Sequence, residues 1–530
     1  DCTIIQGERE RERERGTEWE RDQLHHTRCR APHSYLIQSH KPILVGESPP
    51  LAMSEPKQLL VQFRTKTFPL TTPDTPFSVP TDLARYGLSE LVNHLLGLDP
   101  PTPFDFLVSG KRLLRSSLAD LLQSEWAQEE GLTEENTVVL EYFEALRPPS
   151  NDWNVHEDEW VGAVCGSIPG VVVSGSYDEC VRVYNDEGAL VLQTGEVGGP
   201  ICDLQLCHGL QGTVLAVASK EPCFRTYSLG GLGLEEGKSS GKRKKKGGGA
   251  SSSSGQGSSN LSWTPHSVFQ GHSDSVECVA SHPQQPRIVS GSWDGTVGLW
   301  KIEDEDAGLR EEREQQQEEE SEGSGSRKKK RTKKMAASSS GSPGINTSMD
   351  TLKGHTQVVS GVHWQDDMRI ASCSWDQRII CYDAYQGDIA RDMKSDTAIF
   401  HITSVPGHPH LLLTSHQDPV IRLWDDRTEE GSVVSVRFQG HTEWVCRSLF
   451  CPSSQHNFVS ASYDRSVRFW DTRSTKPVYT LTSCHKERVL SLDWHGTHSV
   501  VSGGADKYVR VHSTTGAGLS TPSVAPSTRR

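Results

Sequence analysis

Thirteen cysteines are scattered over 530 residues, and no two stand at Cys-x-x-Cys spacing. The closest pairs, Cys202/Cys207 and Cys446/Cys451, have four residues between them, which fits neither a zinc ribbon nor a disulfide framework. They read as reduced, mostly buried small apolar residues of a cytosolic or nuclear protein. Long apolar runs are missing too: none approaches the ~18–20 residues of a membrane helix, and the charged start has no apolar signal core. Neither a membrane partner nor secretion is expected. Hydrophobic residues make up 34% and mean hydropathy is −0.54, too little for every segment to join a core. With 55 Lys+Arg against 69 Asp+Glu the net charge is −14, so any basic cluster is a local exception. At about 100–200 residues per domain, the length suits three domains, or one repeat array and a smaller module.

Residues 1–52 contain GERERERERG, whose alternating signs cancel and offer no apolar face. The first methionine is Met53. The stretch before it is expected to be a disordered extension, introduced by the gene model, and is given no function.

From Val171 onward one pattern recurs: an apolar strand, a tight turn with an acid, then a strand ending in an aromatic. Examples are VVVSGSYDECVRVY, IVSGSWDGTVGLW, IASCSWDQRIICY, LLTSHQDPVIRLW, FVSASYDRSVRFW and VVSGGADKYVRVH. The turn acids are Asp178, Asp294, Asp376, Asp418, Asp464 and Asp506. A weaker copy with Glu221 and Tyr227 makes seven. Successive acids are 43, 73, 82, 42, 46 and 42 residues apart; the two long intervals hold low-complexity insertions, 237–260 and 303–345. The remainder repeats at the ~40–45 residues of a WD unit. The repeats resemble the WD-repeat β-propeller and imply a mainly β fold, seven blades of four antiparallel strands, spanning 148–515. The segment near Ala145–Val155 is expected to supply the outer strand of the last blade and close the ring. Residues 516–530 are expected to be a disordered tail.

Each of the six Asp repeats carries Ser or Thr four residues before the acid and an aromatic or His six after it. A histidine lies 21 to 23 residues before five of the acids: His156, His272, His355, His441 and His485. A hydrolase triad is one reading. A triad is a single assembled site, whereas here the set recurs, so the residues read as a structural chain tying turn to strand. His272, Ser290, Asp294 and Trp300, and His441, Ser460, Asp464 and Trp470, are its fullest copies. No catalytic residue is assigned, and the protein is not expected to be an enzyme. Tyr177, Trp293, Trp375 and Tyr463, beside the turn acids, are candidates for a partner-binding face or for packing within blades.

Residues 53–147 have another rhythm. QLLVQFRT alternates as a half-buried strand does. After a Pro/Thr-rich turn region, SVPTDLARYGLSELVNHLLG carries a Pro–Thr–Asp start signal and sets Leu88, Leu91, Val92, Leu95 and Leu96 on one helical face. FDFLVSGKRLL reads as strand, turn and strand, SLADLLQSEW as one short helix, and NTVVLEYFEA as a closing strand. The order β-β-α-β-α-β suits a β-grasp, ubiquitin-like fold. No terminal Gly-Gly follows, so this is a recognition domain in cis.

The run RYGLSELVNHLL…PFDFL…LLRSSLADLL ahead of a seven-bladed propeller resembles the Notchless-like N-terminal domain. More closely, the chain from Met53 on resembles the WD-repeat protein twelve family of ribosome-biogenesis factors. That resemblance implies a non-enzymatic factor of the PeBoW complex, with Pescadillo and the block-of-proliferation WD-repeat protein as partners. It would act on the pre-ribosomal large-subunit particle and in maturation of its RNA. It implies too that the metal-ion-dependent adhesion (MIDAS) domain of midasin, an AAA ATPase, grips the ubiquitin-like domain. A carboxylate in the loop before the last strand completes the coordination of the MIDAS magnesium, as suits a hard cation with an open oxygen position. Anchoring GLTEENTVVLEY on Gly131-Leu132 and Glu141-Tyr142 puts that carboxylate at Glu135, with Glu134 the neighbouring alternative. No cofactor of the chain's own is implied; the magnesium belongs to the partner. A substrate receptor of a ubiquitin ligase is the rival function.

The insertions carry charge. Lys242, Arg243, Lys244, Lys245 and Lys246 stand in a Gly/Ser tract. In the second insertion eleven acids and two arginines in Glu303–Glu322 precede Arg327, Lys328, Lys329, Lys330, Arg331, Lys333 and Lys334. Such clusters read as nuclear-localisation patches with loose RNA contact, and without interleaved aromatics they do not indicate base readout. Nucleus, nucleolus and nucleoplasm are the expected locations.

Overall fold

The computed structural model describes residues 57–66, 71–133, 135–207, 213–230, 262–302, 344–347, 349–427, 434–482 and 484–514. The expectations for residues 1–52, 237–260 and 516–530, for Glu134 and for both basic clusters lie outside the described residues. From Pro56 on, the chain is one compact unit.

The first sheet holds β1 (Gln58–Arg64), β2 (Phe77–Pro80), β3 (Phe104–Val108), β4 (Arg112–Leu113) and β5 (Val138–Glu144), in spatial order β2-β1-β5-β3-β4. The first and last strands pair in parallel at its centre, Val61 opposite Val138, and α1 (Arg85–Leu96) packs Leu88 and Val92 on a core of Phe63, Phe104, Phe106 and Tyr142. This is the β-grasp order. The expected Pro–Thr–Asp helix start is corrected: Phe77–Pro80 is a strand, and α1 begins at Arg85, after Ala84, with no side-chain cap. The pre-proline position 79 is pushed toward extended backbone, which places the proline at the strand's end. The single helix expected in SLADLLQSEW is two, α2 (Leu118–Leu122) and α3 (Glu125–Glu129). The Ser117 and Ser124 hydroxyls each cap a new first turn, accepting from the Asp120 and Ala127 amides.

Seven further sheets follow, each built on four antiparallel strands, consecutive in the chain except where an outer strand comes from beyond an insertion or, in the last, from ahead of the ring. Blade one starts at Val161–Cys165, blade two at Ile201–Cys207, blade three at Val276–Ser281 and blade four at Val359–Trp364. Blades five, six and seven start at Ile399–Val405, Val445–Phe450 and Val489–His495. The outer strand of blade seven is β6 (Ser150–His156), paired antiparallel with Tyr508–Ser513 so that Ser150 faces Ser513 and His156 faces Tyr508. The ring therefore closes with the strand that follows the small domain. One boundary is corrected: the second insertion does not extend to residue 345. Gly344–Asn346 pairs in parallel with Ser267–Phe269 as a fifth strand on blade two, because the long outer strand Ser262–Gln270 leaves an open edge there.

Candidate partner-binding sites

In blade three the Trp300 indole donates to Ser290 Oγ at 2.8 Å, and that hydroxyl meets His272 Nε2 at 2.7 Å; His272 Nδ1 lies 3.0 Å from Asp294. Blade six repeats this with Trp470–Ser460 at 2.8 Å, Ser460–His441 at 2.7 Å and His441–Asp464 at 2.8 Å. The aspartate carboxylate can only accept, so Nδ1 carries the imidazole proton; Nε2 is then an acceptor, and the serine hydroxyl donates to it while accepting from the indole N–H. Both serines are fully buried. Each is held between an indole and an imidazole in the blade interior, so the chain fastens turn to strand.

Blade one departs from the pattern. The structure puts Glu157, not His156, in this chain: its carboxylate meets Ser174, the Tyr184 hydroxyl at 2.9 Å and Arg182 at 3.2 Å. His156 points the other way, edge-on to Tyr508 at 4.9 Å, since neighbours on extended backbone face opposite sides. In blade five the histidine is His416, two residues before the turn acid, 2.7 Å from Thr414, which also accepts from Trp424 at 2.7 Å.

These networks, and the buried His512 of blade seven, carry a pH dependence. Burial pulls the imidazoles of His416 and His512 down to about 3 and about 4. Burial raises the Asp376 carboxyl, but hydrogen bonds from His355 and from the Thr356 and Arg378 amides reverse this and leave it at about 2. All three groups bind protons more weakly folded than unfolded, so stability falls as pH falls. The histidine part goes between about pH 6.5 and the folded values, at up to about 1.4 kcal/mol per group and pH unit; the aspartate part goes below about pH 4. A melting-temperature series should be flat between about pH 7 and 8 and decline below about 6.5; constancy between pH 7 and 5 would refute neutral buried histidines.

On the turn-acid face, aromatic rings form an arc. Trp293, Trp375, Phe400, Trp444 and Tyr463 follow one another with centroids 5.5, 6.4, 5.7 and 5.6 Å apart. Lys220 sits over Trp293 and Arg488 over Tyr463 at 5.0 and 5.3 Å; Trp160 and Tyr177 pair separately at 5.7 Å. Trp160, Trp375 and Trp444 are 41%, 38% and 41% exposed, high for indoles. The sequence reading missed Trp160, Phe400 and Trp444. The signal was there: each is a bulky ring at the entry to an inner strand, as in HEDEWV and HTEWV. Beneath the arc lies a cavity of about 190 Å³ lined by Tyr177, Trp375, Phe400 and Tyr463. In it Asp203 of blade two meets Arg447 of blade six at 3.0 Å across the ring axis and accepts from the Val279 amide.

On the small domain, Glu135 sits in the loop between α3 and β5. Gly131 turns the chain there with φ +70°, and Leu132 anchors the loop through its amide on the Ala127 carbonyl at 2.9 Å and its side chain on the core. Glu135 is exposed, and among the described residues nothing pairs its carboxylate.

The sequence pattern of the NLE (NUC135) domain matches residues 59–122, and the WD domain, G-beta repeat, matches 263–301, 346–383, 431–471 and 475–513. A "Ribosome biogenesis protein WDR12 homolog" of Chlamydomonas reinhardtii is 34% identical over 87% of this chain and 98% of its own length. The chain belongs to the WDR12 family. Relatives of the same name in Oryza sativa subsp. japonica and Nematostella vectensis are 32% and 30% identical over 85% and 86% of this chain and 95% and 99% of theirs. The crystal structure of the WD40 β-propeller domain of Doa1 superposes with a TM-score of 0.48 at 17% identity, over 69% of this chain and 97% of that one.

Proposed function

We propose that the protein is a non-enzymatic assembly factor of the large ribosomal subunit, a member of the PeBoW complex with Pescadillo and the block-of-proliferation protein. Its relatives carry the ribosome-biogenesis name over nearly their whole length. The propeller docks the block-of-proliferation partner through the aromatic arc, since exposed indoles around a cavity match the make-up of interface cores. The small domain offers Glu135 to the MIDAS magnesium of midasin, and ATP-driven pulling strips the factor from the pre-ribosomal particle so that RNA maturation proceeds. The chain brings no metal of its own. The basic clusters at 242–246 and 327–334 direct it to the nucleus and nucleolus.

The observation that carries the grip is an exposed carboxylate on an anchored loop, with no partner among the described residues. It needs no ion pair broken before it can enter a metal's coordination shell. Pull-down of the midasin MIDAS domain by the full chain tests it. Glu135→Ala should weaken binding at least about 30-fold, the ~2 kcal/mol lower bound for truncating one member of a buried charge pair, and a magnesium chelator should do the same to the unaltered chain. Undiminished binding in both arms overturns the reading. Loss with Glu134→Ala instead moves the ligand by one residue.

A further inference from the structure

The small domain touches the propeller at blade six. At the domain's edge strand, the Leu113 amide donates to the Arg473 carbonyl at 3.3 Å. The Arg473 guanidinium lies over the Phe143 ring at 4.6 Å, held flat by two bonds to Asp471 at 2.9 and 2.6 Å. Asp471 ends the third strand of blade six and is 3% exposed. From the domain side, Arg85 pairs with the buried Asp105 at 2.5 Å and Arg115 lies 4.0 Å from it. Burial lowers the Arg115 guanidinium, while the carboxylates of Asp105 and Asp471 oppose that from the two sides of the boundary. A row of alternating charges, Arg85, Asp105, Arg115, Asp471 and Arg473, thus crosses the seam. A few residues on, the Tyr479 hydroxyl of blade six donates to the Leu146 carbonyl at 2.9 Å, and Leu146 packs on the core of blades six and seven.

The order of these contacts along the chain matters. Phe143 and Leu146 lie between Glu135 and β6, and only residues 145–149 separate β5 from β6. Among the described residues β6 is paired on one side alone, and its Ser150 end meets the Ser513 end of its partner. Tension arriving at Ser150 would therefore part that ladder one residue pair at a time, beginning at the end where the partner strand leaves toward the C-terminus. Such a pull would open the ring at its closing strand.

We infer that the seam on blade six takes up tension applied to the Glu135 loop before it reaches β6, so that the small domain can be pulled without opening the propeller. Phe143 is five residues along β5 from Val138, about 17 Å at strand rise, so the loop stands at the far end of that strand from the seam. Force entering at Glu135 runs down β5, passes through Phe143 and Leu146 into Arg473 and Tyr479, and spreads over the tightly packed strands of blade six. The inference rests on the pulling proposed above, yet it concerns this chain alone.

Optical-tweezers stretching of the full chain tests it, with one handle on a short tag inserted after Glu135 and the other at Arg530. In the unaltered chain the first event should be unfolding of a whole domain. In Arg473→Ala/Tyr479→Phe, an earlier event at lower force should lengthen the tether by about 4 nm, the extended length of residues 145–156. Arg473→Lys/Tyr479→Phe, which keeps the charge but loses the flat fork, should show the same early event in a chain with unchanged equilibrium melting. A first event of equal force and length in all three chains overturns the inference, as does an early 4 nm step in the unaltered chain, about one β6 plus linker in length. No second protein is present, so this outcome and that of the MIDAS pull-down are independent.

Discussion

Arg447→Met should lower the unfolding free energy by about 3–5 kcal/mol, the cost of leaving one member of a buried ion pair alone. Asp203 and Arg447 have side chains only 8% and 15% exposed. Burial disfavours the guanidinium, but the Asp203 and Asp493 carboxylates outweigh it and raise its pKa. With methionine in place, the Asp203 carboxylate keeps, among the described residues, the Val279 amide as its one hydrogen-bond donor. The double variant Asp203→Asn/Arg447→Met removes both charges and should recover most of the loss. Urea unfolding followed by tryptophan fluorescence gives both numbers. A single variant as stable as the unaltered chain would mean that water in the central cavity solvates the aspartate, and that the strut between blades two and six contributes nothing.

Trp470→Ala should cost a similar ~3–5 kcal/mol by a different route, an unfilled cavity. The indole is 1% exposed, stacks on Phe458 with centroids 5.8 Å apart and meets Phe438 at 6.0 Å. Trp470→Phe keeps most of that contact and removes only the donor to Ser460, which still has His441; its cost should be nearer ~1 kcal/mol. Near-equal denaturation midpoints for the two variants would show that the hydrogen bond, not the packing, holds blade six.

The propeller was legible because one acid recurs at a fixed place in a turn whose flanking strands alternate. Even Glu221, with Val217 where the other copies have Ser or Thr and no histidine at the usual offset, kept the spacing that marks blade two. Reading by residue type failed where another residue did the same work. Glu157 stands 21 residues before Asp178, the offset of His355 from Asp376 and His485 from Asp506, yet His156 beside it drew the assignment. The strand at Phe77–Pro80 was masked by the prolines and threonines around it, and that at Gly344–Asn346 is too short to show a period. Glu135 came from resemblance, since nothing in its own composition separates it from any other turn acid. The seam was beyond reach: Phe143 and Arg473 each look ordinary locally, and only the folded chain brings them together.

The closing strand has a consequence for synthesis. Ser150 and Ser513 are bonded to each other though 363 residues apart. At the ~5–20 residues per second of translation, β6 waits roughly 20–70 s for its complement to leave the ribosome. Throughout that time the nascent ring is an open arc with unpaired backbone at both ends, the form in which it is most exposed to mispairing with a neighbouring chain.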